Sequence, residues 1–183
     1  MAALPRFALP TTTYHEAVPG HHTQGAVALG AGDLPLIVRI GSFNAYAEGW
    51  ALYAERLAAE LGLYRHDSAG DIGRLQAELF RAARLVVDTG LHHHRWPRGR
   101  AIAYLAEITG QAPSAVTAEV ERYMAWPGQA LGYTLGQMRL LEMRARMAHR
   151  LGRRFDRRSF HAVILGEGGM PLDLVERRVA AAS

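Results

Sequence analysis

Residues 15–22 read HEAVPGHH, and how this stretch folds decides what the chain can be. A short zinc-peptidase helix sets two histidines four residues apart on one face, with a glutamate beside the first as general base. Here His15 and Glu16 open the pattern, but Pro19 and Gly20 intervene before His21 and His22. In an unbroken helix His15 and His22 share a face yet stand two turns apart, roughly 10 Å, too far for one ion, while His21 points about 120° away from His15. Pro19 removes a backbone donor and clashes with the preceding turn, and Gly20 tolerates unusual backbone angles. The pair predicts a bulge that swings His21 back beside His15. On this reading His15 and His21 are metal ligands and Glu16 is the general base acting on water. The spacing leaves His22 open as the alternative second histidine.

A catalytic zinc takes three protein ligands and keeps one position open. The best third candidate is Glu48 on the following helix, because consecutive helices joined by a modest loop pack side by side. Glu55, seven residues on and on the same face, is the alternative ligand or a support for one.

The remaining pattern is helical throughout. A helix over 11–31, capped by one of Thr11 to Thr13 and stopped by GAGDLP, precedes one from Ser42 to Leu61 that Gly62 ends. Further helices are predicted over 72–89 with a stop at Gly90, after Pro97 to Gly110, over 114–126 and over 129–150. Two short ones lie in SFHAVIL and PLDLVERRVA. No stretch sustains an alternation of period two, so the fold class is all-α. One helical domain is expected over 1–183.

Composition narrows the chemistry. Of 183 residues, 49% are hydrophobic and 21% charged, an ordinary balance for a globular chain. There is no cysteine, which excludes disulfides, thiolate zinc sites and cysteine nucleophiles and leaves His, Asp and Glu to hold a transition metal. The formal charge of +4 comes from 21 basic residues, all arginine, against 17 acidic ones. Without a basic stripe interleaved with aromatics, that balance points to solvated helix faces and no nucleic-acid partner. With neither a secretory leader nor a membrane span in view, the expectation is a cytoplasmic chain with no membrane partner.

Four motifs in order, HEAVPGHHTQ (15–24), EGWALYAE (48–55), RLVVDTGLH (84–92) and PGQALGYTLGQ (127–137), followed by FDRRSFHAVILGEGGMPLDLVE (155–176), resemble the bacterial domain-of-unknown-function 885 family, whose members look like gluzincin-type zinc peptidases. The resemblance runs over nearly the whole chain. It implies a multi-helix zincin-like catalytic subdomain with a Pro-Gly-kinked metal-binding helix, the C-terminal part of a larger peptidase-like fold. It also implies zinc held by His15, His21 and Glu48, Glu16 activating the water, and Tyr133 and His92 over the site as oxyanion donors. His93 and His94 depart from the family's motif and are expected to be exposed. Arg139 matches a basic position there, with binding of a substrate carboxylate as its functional reading and a solvated helix face as the plainer one.

The function expected is zinc-dependent hydrolysis of a peptide or small amide bond. A truncated non-catalytic scaffold, or half of a split enzyme whose companion chain supplies the rest of the cleft, is the alternative. A carboxylate di-iron bundle is weaker, because no two helices carry the Glu-x-x-His pattern it uses.

Overall fold

Proline or aspartate stands at the start of most helices in this chain, as at Pro10, Asp67, Pro97, Pro113, Asp156 and Pro171. The computed structural model describes residues 5–182 apart from 33 and 42, and every regular element among them is helical. After a 3-10 turn at Arg6–Ala8 come α1 (Leu9–Glu16), α2 (His21–Gly30), α3 (Leu36–Ile40), α4 (Asn44–Glu60) and α5 (Ser68–His92). Then follow α6 (Arg98–Thr109), α7 (Pro113–Ala125), α8 (Gly132–Leu151), α9 (Arg157–Leu165) and α10 (Leu172–Ala181).

Several boundaries differ from the sequence reading. The predicted helix over 11–31 is two helices, not one with a bulge. It starts at Leu9 with Pro10 in its first turn, a position that needs no amide donor. The threonines therefore do not cap. Thr12 and Thr13 bond the carbonyls of Ala8 and Leu9 four residues back at 2.9 and 2.8 Å, and Thr11 turns inward. The short α3 has no counterpart in the sequence pattern, and Ser42, the expected start of the next helix, lies outside the described residues. Helix α5 is longer at both ends. Asp67 caps it by accepting from Gly70 N at 2.9 Å, and the expected stop at Gly90 does not occur, because Trp96 folds back over that glycine. The predicted 129–150 helix begins instead as a 3-10 turn over Gln129–Leu131.

Two apolar clusters organise these helices. Tyr46, Trp50, Tyr53 and Leu57 of α4 meet Leu140, Met143 and Met147 of α8, closed by Phe160 and Ile164 of α9 and Val175 and Val179 of α10. On the other side Ala83 and Val87 of α5 pack on Ala101 and Leu105 of α6 and Val116, Val120 and Tyr123 of α7. Helix α4 is buried nearly all round over residues 49–55, as expected for a central helix.

At the α4–α8 crossing the two backbones touch. Gly49 and Gly136 face each other backbone to backbone, and a methyl group on Gly136 would lie 2.0 Å from the Ala45 carbonyl oxygen and 2.6 Å from Gly49 Cα. In an ordinary helix interior, replacing glycine by alanine stabilises by about 1 kcal/mol. Here the sign reverses: Gly136→Ala is expected to destabilise by about 1–3 kcal/mol through overpacking. Urea unfolding would show this as a lower midpoint, and a raised midpoint would contradict the crossing.

On α9, His161 Nε2 accepts from the Tyr53 hydroxyl at 2.8 Å, and that hydroxyl accepts from Arg144 at 3.0 Å, so the imidazole is neutral. Burial, helped by the charges of Arg144 and Arg157, pushes its pKa down to about 4. The unfolded chain therefore takes up this proton first as pH falls. The chain should lose up to about 3 kcal/mol of stability between about pH 6.5 and pH 4. Thermal melts across that window should show the loss and His161→Gln should flatten it; an unchanged slope in the variant would refute the assignment.

Candidate metal centre

The break between α1 and α2 places the first two candidate residues. Helix α1 carries His15 in its last turn, the chain turns through Ala17–Gly20 with a cis Val18–Pro19 peptide, and α2 starts at His21. Gly20 lies against the end of α1 so closely that a Cβ there would stand 1.8 Å from the His15 carbonyl oxygen. Only glycine fits. From α4 the buried Trp50 indole donates to the Pro19 and Gly20 carbonyls at 3.0 and 3.3 Å, fixing the turn. The two imidazoles then meet edge to face with centroids 4.9 Å apart. His22, one residue on, is exposed on the outer side of α2.

Glu48 of α4 faces both rings. Its Oε2 lies 3.6 Å from His15 Nε2 and 3.3 Å from His21 Nε2, and one ligand atom from each residue lies within 4.8 Å of the others. A tetrahedral ion with bonds of about 2.0–2.1 Å separates its ligand atoms by about 3.3 Å. The donor set and its spacing therefore fit zinc. Among the described residues this is the one group of three or more histidine, aspartate or glutamate side chains so gathered.

Supporting bonds aim the rings. His15 Nδ1 donates to Glu55 Oε1 at 2.7 Å, which directs the other ring nitrogen, Nε2, at Glu48, where an ion would take its lone pair. Glu55 is 1% exposed, yet its charge is met: the Thr11 hydroxyl donates to Oε2, and Arg81 Nη2 lies 3.3 Å from Oε1. Arg81 also comes within 3.4 Å of His15 Nδ1. Since that nitrogen already gives its proton to Glu55, the two donors share one acceptor and do not bond each other. His21 Nδ1 is 3.4 Å from the Gln24 amide oxygen, whose amide nitrogen donates to the Tyr46 carbonyl at 3.4 Å.

Electrostatics bind the group together. Burial opposes charge on both partners, but the two carboxylates beside His15, Glu48 and the hydrogen-bonded Glu55, outweigh it there and raise its pKa. At Glu48 burial is likewise outweighed by the nearby ring N–H groups of His15 and His21 and the hydroxyl of Tyr133, which hold its carboxyl far below the usual range. Tyr133 of α8 stacks on His15, with centroids 6.3 Å apart and planes 17° from parallel.

The other candidates are placed differently. Glu16 ends α1, exposed and without an ion pair among the described residues. His92, expected over the site, instead bonds the Tyr123 carbonyl through Nε2 at 3.0 Å. It ends α5 on the side facing α7. His93 and His94 are exposed. Arg139 is engaged on the surface by Glu176 and, at 3.8 Å, by Asp173, so it is not a free carboxylate binder.

The motif residues that the sequence left without a role serve as struts. Buried Asp88 accepts from Gly128 N at 3.1 and 3.2 Å, and Asn44 donates to the Gln129 carbonyl at 2.8 Å, pinning the turn that leads to Tyr133. Thr11, Gln24, Trp50 and Arg81 escaped sequence reasoning. None lies at a spacing that marks a ligand partner, and only their packing reveals them.

Glu55→Gln is expected to weaken zinc binding roughly 10- to 100-fold, read by competition with a chromophoric chelator. An unchanged affinity would show that Glu55 does not orient His15.

The family described as "Bacterial protein of unknown function (DUF885)" matches residues 1–179. A crystal structure described as "the putative lipoprotein from Colwellia psychrerythraea" is 57% identical, with a TM-score of 0.95, over 97% of this chain and 30% of that one. A second, "a putative lipoprotein of unknown function from Shewanella oneidensis", shares the fold at 23% identity and a TM-score of 0.87, over 94% of this chain and 31% of that one. The chain thus spans under a third of the length of either. No curated protein matches. No helix among the described residues is long and apolar enough to cross a membrane, and neighbours described as lipoproteins lend the cytoplasmic expectation no support.

Proposed function

We propose, on the premise that the chain belongs to the bacterial DUF885 family, that it carries the metal-binding part of a zinc-dependent hydrolase acting on peptide or small amide bonds. The observation that carries this reading is the meeting of His15 Nε2, His21 Nε2 and Glu48 Oε2 at zinc-like spacing, with Glu55 behind His15. In this reading α1 and α2 form one zincin-like metal-binding unit interrupted at Pro19-Gly20.

Bound there, zinc would supply Lewis acidity toward a substrate carbonyl and toward water. The protein's own groups do the rest. Glu16, adjacent to His15 and exposed, takes the proton of the attacking water and passes it to the leaving nitrogen. Tyr133, stacked on His15 with its hydroxyl near Glu48, donates its phenol proton toward the oxygen that becomes negative in the transition state. Glu55, Thr11 and Arg81 keep His15 in the tautomer that offers Nε2. His92 Nε2 is held by the Tyr123 carbonyl, and no step is assigned to it.

Zinc-loaded Glu16→Gln should keep its metal while turnover of a panel of fluorogenic peptides falls roughly 10²- to 10⁴-fold. Turnover equal to that of the parent chain would overthrow this mechanism.

A further inference from the structure

Beside the histidine group, α1, α5 and the start of α7 enclose a cavity of about 460 Å³. Its lining includes Arg81 and Arg84 but no carboxylate, with Phe7 and Phe80 as the large apolar members. Arg81 belongs to both places, since the same guanidinium that braces Glu55 and His15 faces this space. The two arginines also flank the tyrosine of the site: their guanidinium carbons lie 5.6 and 4.7 Å from the Tyr133 ring centre. The cavity therefore adjoins the reacting groups.

Its charge is only partly spent inside the protein. Arg84 is 8% exposed and gives Nε to the Tyr123 hydroxyl at 2.9 Å and Nη2 to Glu119 at 3.2 Å. Arg81 uses Nη1 on the Ala77 carbonyl and Nη2 on Glu55. Each guanidinium has five N–H donors in a fixed fork. Among the described residues Arg84 Nη1 and Arg81 Nε have no hydrogen-bond partner, and neither is sealed from solvent. Glu119 is itself shared with Arg122 at 2.9 Å, so three arginines here answer two carboxylates, Glu55 and Glu119. Such a lining suits a carboxylate carried on an apolar body, because charge-assisted bonds to a partly buried guanidinium are the strong ones.

We infer that this cavity is a substrate subsite for a carboxylate, either the C-terminal group of a peptide or an acidic side chain at that end. The inference rests on the hydrolase reading and deepens it. It makes the substrate a peptide cut near an anionic end, with Arg84 and Arg81 as the residues that select it.

Binding separates the cases without requiring turnover. The zinc-loaded chain is titrated with three peptide hydroxamates, ending in phenylalanine free acid, phenylalanine amide and aspartate amide. The free acid, the aspartate amide or both should bind at least about tenfold tighter than phenylalanine amide, and which of them does so identifies the carboxylate's source. Arg84→Gln, checked for retained helicity and zinc content, should abolish the preference. Gln111→Glu, which adds a carboxylate to the lining at a partly exposed loop residue, should reduce it without touching the core. Zinc-dependent binding with equal affinities overturns this inference alone. Failure of all three probes to bind in a zinc-dependent way overturns the hydrolase reading with it.

Discussion

Everything at the centre depends on α4 and α8 touching backbone to backbone at Gly49 and Gly136. No side chain separates the helices there, so residues one to three positions away are carried into the same small space. Glu48 precedes the α4 glycine, and Tyr133 lies one turn before the α8 glycine. Trp50 follows Gly49 and reaches the Pro19-Gly20 turn. Three consecutive residues, each rotated by about 100°, thus present a carboxylate to the histidines, a bare backbone to α8 and an indole to the α1–α2 break. The sequence EGW is a structural unit before it is a chemical one.

Buried charge sets the second constraint. Glu55 sits inside the protein at 1% exposure, a location that costs several kcal/mol for an unmatched carboxylate. Thr11, His15 and Arg81 match it from three directions. The arrangement fixes the imidazole, since the nitrogen that satisfies Glu55 cannot also face Glu48. Arg81 and Arg84 extend the same network toward Tyr133 and the neighbouring cavity, so the stabilising ion pairs and the proposed recognition of an anionic substrate use the same side chains.

The all-helical class is legible in the sequence because apolar spacing and glycine or proline stops are local signals. So is the meeting of His15, His21 and Glu48, which follows from a proline-glycine interruption and from two neighbouring helices. The manner of the interruption is not. A bulge and a full break differ by whether Gly20 can lie on the His15 carbonyl, and that depends on Trp50, thirty residues away. Gly90 misleads because a glycine inside a helix and one that ends it look alike until Trp96 is seen lying on it. The Tyr123 carbonyl that holds His92 Nε2 is likewise not legible in its motif, because it comes from a helix 31 residues on. Arg81 is invisible in the sequence, since it reaches His15 and Glu55 only through tertiary packing.

The central claim is that two imidazoles brought together by a broken helix, and one carboxylate from the helix behind them, converge on a single ion. Diffraction at the zinc absorption edge from zinc-soaked crystals tests it most directly. The account predicts one strong anomalous peak about 2.0–2.2 Å from His15 Nε2, His21 Nε2 and a Glu48 carboxylate oxygen. A fully soaked crystal with no peak there, or with its zinc held by His22 or the His92–His94 run instead, would contradict it.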